Sequence, residues 1–337
     1  MGTGSYLPSA VVTNQDIMAM VDLSHFDPGR SGPYDQWVSQ TMGFVERRWA
    51  AQDQATSDLA HAAAAEALVE AGLGVDDIDM IIACTSTPDM RVPNTAALVQ
   101  GKLGAANSCP AFEISAACAG FVFALHMADA MMKQHAFYRH VLIVGAEMGS
   151  SVIDRRNYIT CPIFGDGAGA VVLGRSANDG RGILGGHVRS DGRLADYVVV
   201  PAGGSALPIT PENIEEVYAR GQHGIRLETA RLKDAAIERL VEAARTVLKD
   251  HGLSVQDIAH WVPHQAGKKI LEGTMTALGI SPSAVLLNYQ RYANTSQASI
   301  PILLHENRHL FKPGDMIMML ALGGGLCWGA LLYQWPA

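Results

Sequence analysis

The stretch Ala64–Pro88, AAEALVEAGLGVDDIDMIIACTSTP, is echoed by Leu240–Ala266, LVEAARTVLKDHGLSVQDIAHWVPHQA. Both run from an Ala-rich helical pattern through a Gly-Leu turn and a Val-x-Asp-Ile step into an apolar strand. The same order recurs downstream. Lys102-Leu103-Gly104 closes a helix as Ala277-Leu278-Gly279 does, Val141–Ala146 (VLIVGA) resembles Met316–Ala321 (MIMMLA), and Gly169–Leu173 (GAVVL) resembles Gly329–Tyr333 (GALLY). The offset is 175 residues for Leu103/Leu278 and 160 for Gly169/Gly329, which indicates two structural halves and excludes a short solenoid repeat. Each half alternates helix with buried apolar strand, so the expectation is α/β, with parallel or mixed sheets covered by helices. The division is placed at residues 1–178 and 179–337. A site at the seam would collect residues from both halves.

A chain of 337 residues with 48% hydrophobic and 17% charged residues can bury a large core and does not read as disordered. The net charge of −8 argues against a general nucleic-acid binder. Cys84, Cys109, Cys118, Cys161 and Cys327 form no CxxC pair and have no metal-like His spacing beside them, so no metal site or disulfide framework is expected and a reducing cytoplasm fits best. No export signal or lipid anchor is read at the N-terminus. Met316–Trp335 runs twenty residues without a charge, a length that could span a membrane, but Gly323, Gly324, Gly325 and Gly329 interrupt it. Two buried strands meeting at a glycine turn is the preferred reading, with no membrane span.

Three positions stand out chemically. Cys118 lies where the extended Phe112–Ser115 stretch gives way to an apolar helix expected over Gly120–Met132. A thiol at a helix N-terminus meets unpaired N–H groups and partial positive charge, which favours thiolate; a small core hydrophobe is the plainer reading. His264, in Trp261-Val262-Pro263-His264-Gln265-Ala266, ends a strand of the second half and can donate to a developing oxyanion or move a proton, or be a satisfied core histidine. Asn294, in Arg291-Tyr292-Ala293-Asn294-Thr295-Ser296, can share that donor role or cap the following helix.

Taken together, Gly2-Thr3-Gly4-Ser5-Tyr6-Leu7-Pro8, Cys118, Phe164-Gly165-Asp166-Gly167-Ala168-Gly169-Ala170, Pro263-His264-Gln265-Ala266, Asn294-Thr295-Ser296, Gly323-Gly324-Gly325 and Trp328-Gly329 resemble, in order and over nearly the whole chain, the β-ketoacyl-acyl-carrier-protein synthase III family. The resemblance implies a thiolase fold, two βαβαβαββ halves with similar five-stranded layers in an αβαβα stack, usually homodimeric. It also implies a decarboxylative Claisen condensation with no cofactor besides acyl-coenzyme A or acyl-carrier-protein thioesters. Cys118 would hold the primer as an acyl-enzyme, with its own N–H and that of Gly324 as oxyanion hole. His264 and Asn294 would stabilise the enolate of a malonyl-type extender, so removing either is expected to damage condensation more than loading.

Departures from the family pattern concern the substrate. The Trp and Arg that flank the coenzyme A adenine in the family correspond to Trp37 and Thr41, and a second Arg corresponds to Tyr158, which puts coenzyme A recognition in doubt because Thr and Tyr lack the stacking, bidentate guanidinium. Residues 25–34 read as an inserted loop beside the substrate mouth, either idle or reshaping it. Val92 and Leu322 replace positions often aromatic in the family, which leaves room for a longer or branched primer. Lys268 and Lys269 are the carrier-docking basic residues that remain, open to supplement from Arg30, Arg231 or Lys233.

The reading is therefore a condensing acyltransferase serving a specialised acyl chain in secondary metabolism. Its alternatives are ordinary acetyl- or short-chain-primed initiation of fatty acid synthesis, acyl transfer without decarboxylation, and a silent acyl-binding subunit. A degradative thiolase would place a cysteine just before the terminal glycine run, where Leu322 stands and Cys327 follows. A hydroxymethylglutaryl synthase would need a general-acid Glu, for which Glu113 offers an equally structural reading.

Overall fold

The structure is a computed structural model that describes residues 2–175 and 181–336. The expected division between residues 178 and 179 lies outside the described residues.

Nine strands form the two principal sheets. The first comprises β1 (Gly2–Tyr6), β2 (Met80–Cys84), β3 (Ala111–Ile114), β4 (His140–Met148) and β5 (Asp166–Gly174), in the order β1-β5-β4-β2-β3. The second comprises β6 (Gly182–Ser190), β7 (His260–Pro263), β8 (Met316–Gly323) and β9 (Cys327–Gln334), in the order β7-β8-β9-β6. Pairings correspond between halves: β2 runs parallel to β4 as β7 does to β8, and β4 antiparallel to β5 as β8 does to β9. Among the described residues the second sheet has four strands where five were expected. The counterpart of β3 has shrunk to a single parallel bridge between Trp261 and Val285.

Six principal helices complete the stack: α1 (Thr56–Ala71), α2 (Thr95–Lys102), α3 (Gly120–Gln134), α4 (Thr229–Asp250), α5 (Lys268–Leu278) and α6 (Ser299–Asn307). The repeated Val-x-Asp-Ile step is a 3-10 turn in both halves. Asp77 accepts from the Gly74 N–H at 2.9 Å and Asp257 from the Ser254 N–H at 2.7 Å, so each carboxylate satisfies a donor at the turn start. α1 packs its alanines on one face of the first sheet and α4 covers one face of the second. Between the sheets lie α3 and α6, whose Phe121, Val122, Leu125, Ile300, Leu303 and Leu304 share a core with Ile82, Ile143, Ile317 and Met319. The result is the αβαβα stack of the thiolase fold. α3 is apolar nearly all round because it is buried between two sheets, and it runs to Gln134, two residues beyond expectation.

Gly169 shows why glycine is placed within β5 at this depth: a Cβ there would lie 2.7 Å from the Ile302 backbone N. The run serves close packing of α6 on β5. Met316–Trp335 is the β8–β9 hairpin, and no helix among the described residues is long and apolar enough to cross a membrane.

Candidate active site

Cys118 sits in a 3-10 turn, Ala117–Ala119, between β3 and α3. Ala117, just before it, adopts φ 43°, a left-handed conformation that costs a residue with a Cβ on the order of 1–3 kcal/mol. The turn is wedged against the end of β8, where a Cβ on Gly323 would lie 2.5 Å from the Cys118 backbone N and 2.9 Å from the Ala117 Cβ. Glycine at 323 is therefore what lets the second half approach the cysteine so closely.

His264 follows β7, its N–H donating to the Leu320 carbonyl at 2.7 Å. The next residue anchors the loop: Gln265 Oε1 accepts from the N–H groups of Asn288 (2.9 Å) and Tyr289 (3.1 Å), while Nε2 donates to the Pro263 carbonyl (2.8 Å). Asn294 is gripped through its backbone by the residues on either side of Phe164, donating to the Ile163 carbonyl and accepting from the Gly165 N–H. Its side-chain Oδ1 accepts from the Ser296 N–H at 2.7 Å, which leaves Nδ2 as the group turned to the cavity. The capping expectation and the donor expectation thus fall on opposite ends of one amide.

Cys118, His264 and Asn294 line a single cavity of about 1210 Å³, together with Gly324, Leu322, Trp37, Thr41, Tyr158 and Lys269. Val92 is not brought to the cavity with the others. It is 82% exposed, on the surface turn after β2, and is absent from the cavity wall of its own chain. Glu113, the other residue in question, accepts from the Thr95 N–H at 2.9 Å and caps α2.

Electrostatics amend the expected thiolate. Cys118 keeps partial access through the cavity, but burial pushes its thiol up to about 12, with the Ser296 hydroxyl opposing that rise. The helix-start argument placed the charge in an environment too dry to hold it at neutral pH. Burial likewise drives His264 down to about 4, against a smaller opposing effect of the Ser296 backbone, so the imidazole is neutral. The resting pair is thiol and imidazole.

The inserted segment at 25–34 is not simply a loop. It contains a helical turn, Pro28–Ser31, capped by Asp27, and contributes Phe26 and buried Tyr34 to an aromatic cluster. Phe26 stands 5.4 Å from Tyr34, 5.5 Å from Trp37 and 5.9 Å from Tyr158 between ring centroids. Tyr34 Oη donates to the Tyr158 carbonyl at 2.7 Å. Trp37 and Tyr158, which both line the cavity, are therefore braced by the insertion.

Sequence reasoning passed over Ser296 and Ser299. Ser296 Oγ donates to Cys118 Sγ at 3.2 Å, and Ser299 Oγ lies 2.8 Å from His264 Nδ1. Ser296 belongs to the Asn294-Thr295-Ser296 motif, but nothing in the order of residues shows that its side chain crosses to the other half. Glu147, also on the cavity wall, was missed too: its Oε1 accepts from the Ser86 N–H (2.8 Å) and from the hydroxyls of Thr85 and Thr87.

Comparison with known proteins places this geometry among relatives. Residues 112–192 match the profile for 3-oxoacyl-[acyl-carrier-protein] synthase III, and residues 248–335 match that for its C-terminal part. The β-ketoacyl-[acyl-carrier-protein] synthase III of Caldanaerobacter subterraneus subsp. tengcongensis is 41% identical over 337 residues, covering 99% of this chain and 97% of the relative. The crystal structure of 3-oxoacyl-[acyl-carrier-protein] synthase III from Aquifex aeolicus VF5 superposes with a TM-score of 0.86 at 38% identity, covering 99% of this chain and 98% of that one. The priming β-ketosynthase of the R1128 polyketide biosynthetic pathway gives a TM-score of 0.86 at 29% identity, covering 99% and 95%.

Proposed function

The chain belongs to the 3-oxoacyl-[acyl-carrier-protein] synthase III family of condensing acyltransferases, and on that premise we propose that it extends a primer longer or more branched than acetyl, for a specialised acyl chain. In the first half-reaction Cys118 Sγ attacks the primer thioester carbonyl, the carrier thiol leaves with the cysteine proton, and an acyl-cysteine remains. The backbone N–H groups of Cys118 and Gly324 face the oxyanion of that step. In the second, a malonyl-type thioester loses carbon dioxide while its carbonyl oxygen, now an enolate, lies against Asn294 and His264. The resulting carbanion attacks the acyl carbon, the C–S bond breaks, and Cys118 recovers a proton.

The observation that carries this reading is one cavity, shared by Cys118, His264 and Asn294, of about 1210 Å³. Small-molecule sites usually fall at about 300–1,000 Å³, so space remains beyond the reacting groups. Leu322 forms part of the wall.

A carrier protein is the proposed macromolecular partner, with Lys269 exposed at the rim while Lys268 donates to the Gln40 carbonyl. A second copy is proposed across β3, an edge strand whose sheet neighbour is β2 and whose Phe112 and Ile114 remain half-buried. A reducing, cytoplasmic setting suits the five unpaired cysteines.

The test is the mass of the intact protein after exposure to acetyl and longer acyl groups, each on coenzyme A and on carrier protein. Adducts on Cys118 favouring the longer groups are expected. Efficient loading from acetyl-coenzyme A overturns the proposal in favour of ordinary initiation.

A further inference from the structure

Ser299 is 1% exposed and lies at the first turn of α6, with its hydroxyl between two partners. Oγ is 2.8 Å from the Ser296 carbonyl oxygen and 2.8 Å from His264 Nδ1. A carbonyl only accepts, so the single hydroxyl proton of Ser299 lies on the bond to Ser296. Toward the imidazole, Oγ is then left as an acceptor. The donors run in one direction along the chain, from His264 Nδ1–H to Ser299 Oγ–H to the Ser296 carbonyl. In this arrangement Nε2, the ring nitrogen left to the cavity, carries a lone pair.

We propose that Ser299 is a positioning residue that holds His264 as the Nδ1–H tautomer, making Nε2 the proton acceptor for Cys118 during primer loading. The inference rests on the acyl-cysteine reading above and adds a role to the histidine in the first half-reaction. As Sγ bonds to the thioester carbonyl carbon, its proton passes to Nε2. When the tetrahedral intermediate collapses and its bond to the carrier sulfur breaks, the imidazolium returns that proton to the departing thiolate. The charge that forms briefly on the ring is stabilised through Nδ1–H by the Ser299–Ser296 chain. Ser296 also donates to Sγ, so one residue supports both ends of the transfer. In this tautomer Asn294 Nδ2 is the donor available to the enolate.

The chain has twelve histidines, so the His264 ring signals in ¹⁵N-histidine-labelled protein are assigned by their loss in His264→Gln. The expected spectrum of the wild type shows a protonated Nδ1 and a bare Nε2. In Ser299→Ala the signals exchange toward Nε2–H, single-turnover acylation of Cys118 falls by about 10²–10³, and decarboxylation of a malonyl thioester stays within a few-fold of wild type. Ser299→Thr, which keeps a hydroxyl, restores acylation. A wild-type spectrum with Nε2 protonated overturns the proposal without recourse to any variant. So does an unchanged tautomer in Ser299→Ala with both rates falling together. Failure of the wild type to form any acyl adduct instead sinks the broader functional reading and leaves the tautomer measurement standing.

Discussion

Ser296 Oγ donates a 3.2 Å hydrogen bond to Cys118 Sγ across a sequence separation of 178 residues. The same residue holds Asn294 through its N–H and, through its carbonyl and Ser299, His264. It does so from a left-handed backbone at φ 51°. The other non-glycine residues with positive φ among those described are Ala117 at 43° and Ala293 at 55°, immediately before Cys118 and Asn294. Strained positions of this kind persist where the surrounding packing over-determines them, and here all three flank the groups that meet in the cavity.

Cys118→Ala removes the proposed nucleophile with little change in volume. The expected outcome is complete loss of the acyl adduct in intact-protein mass spectra, with malonyl thioester decarboxylation still measurable as released carbon dioxide. An adduct that persists in this variant would place the nucleophile elsewhere.

Asn294→Ala deletes the Nδ2 donor and the Oδ1 contact to Ser296. Condensation is expected to fall by ~10²–10³ while single-turnover loading is largely kept. His264→Ala is expected to lower both steps if the ring takes a proton in the first, as proposed. That differs from the selective loss that the family pattern alone implies for both residues.

Cys118 alkylation by a neutral reagent reports thiolate directly. With the thiol pushed up to about 12, thiolate rises with pH and the rate should climb about tenfold per pH unit through the range 7–9. A plateau near neutrality would show that the helix start outweighs burial.

His264 also links stability to pH. Its folded value of about 4 lies below the ordinary 6.5, so between those values the unfolded chain binds a proton that the native state refuses. Stability is then greatest above pH 6.5 and declines as pH falls toward 4, by at most ~3 kcal/mol from this residue. Denaturant titrations at several pH values should show a shallower decline in His264→Gln than in wild type.

Leu322→Phe enlarges a side chain that is both buried in the second half and part of the cavity wall. Loading of long primers should fall about tenfold or more while acetyl loading is retained, since a few methylenes decide fit in an apolar pocket. The ratio of long to short adducts in competition measures this.

The fold was legible because its two halves repeat one pattern of burial. Residues 64–88 and 240–266 each produce helix, Asp-closed turn and buried strand, and these local rules act over a few neighbouring positions. The missing fifth strand of the second sheet was not legible, because Val285 pairs with Trp261 through distances set by packing. Nor was the exposure of Val92 legible: a family pattern identifies a position along the chain, while the segment after β2 decides that it faces outward from its own chain. The insertion read as a loop by composition, yet Phe26 and Tyr34 acquire partners in Trp37 and Tyr158 from distant segments.

The linear order of residues determined which segments become strands and helices, that they duplicate, and which cysteine, histidine and asparagine were worth attention. Tertiary structure alone decided that burial raises the Cys118 thiol, that Ser296 and Ser299 wire the three groups together, and which side chains form the cavity wall. Periodicity and turn chemistry depend on neighbours a few positions away and so can be read along the chain. Desolvation and hydrogen-bond direction depend on what lies across the fold, as with a serine 178 residues from the sulfur it touches.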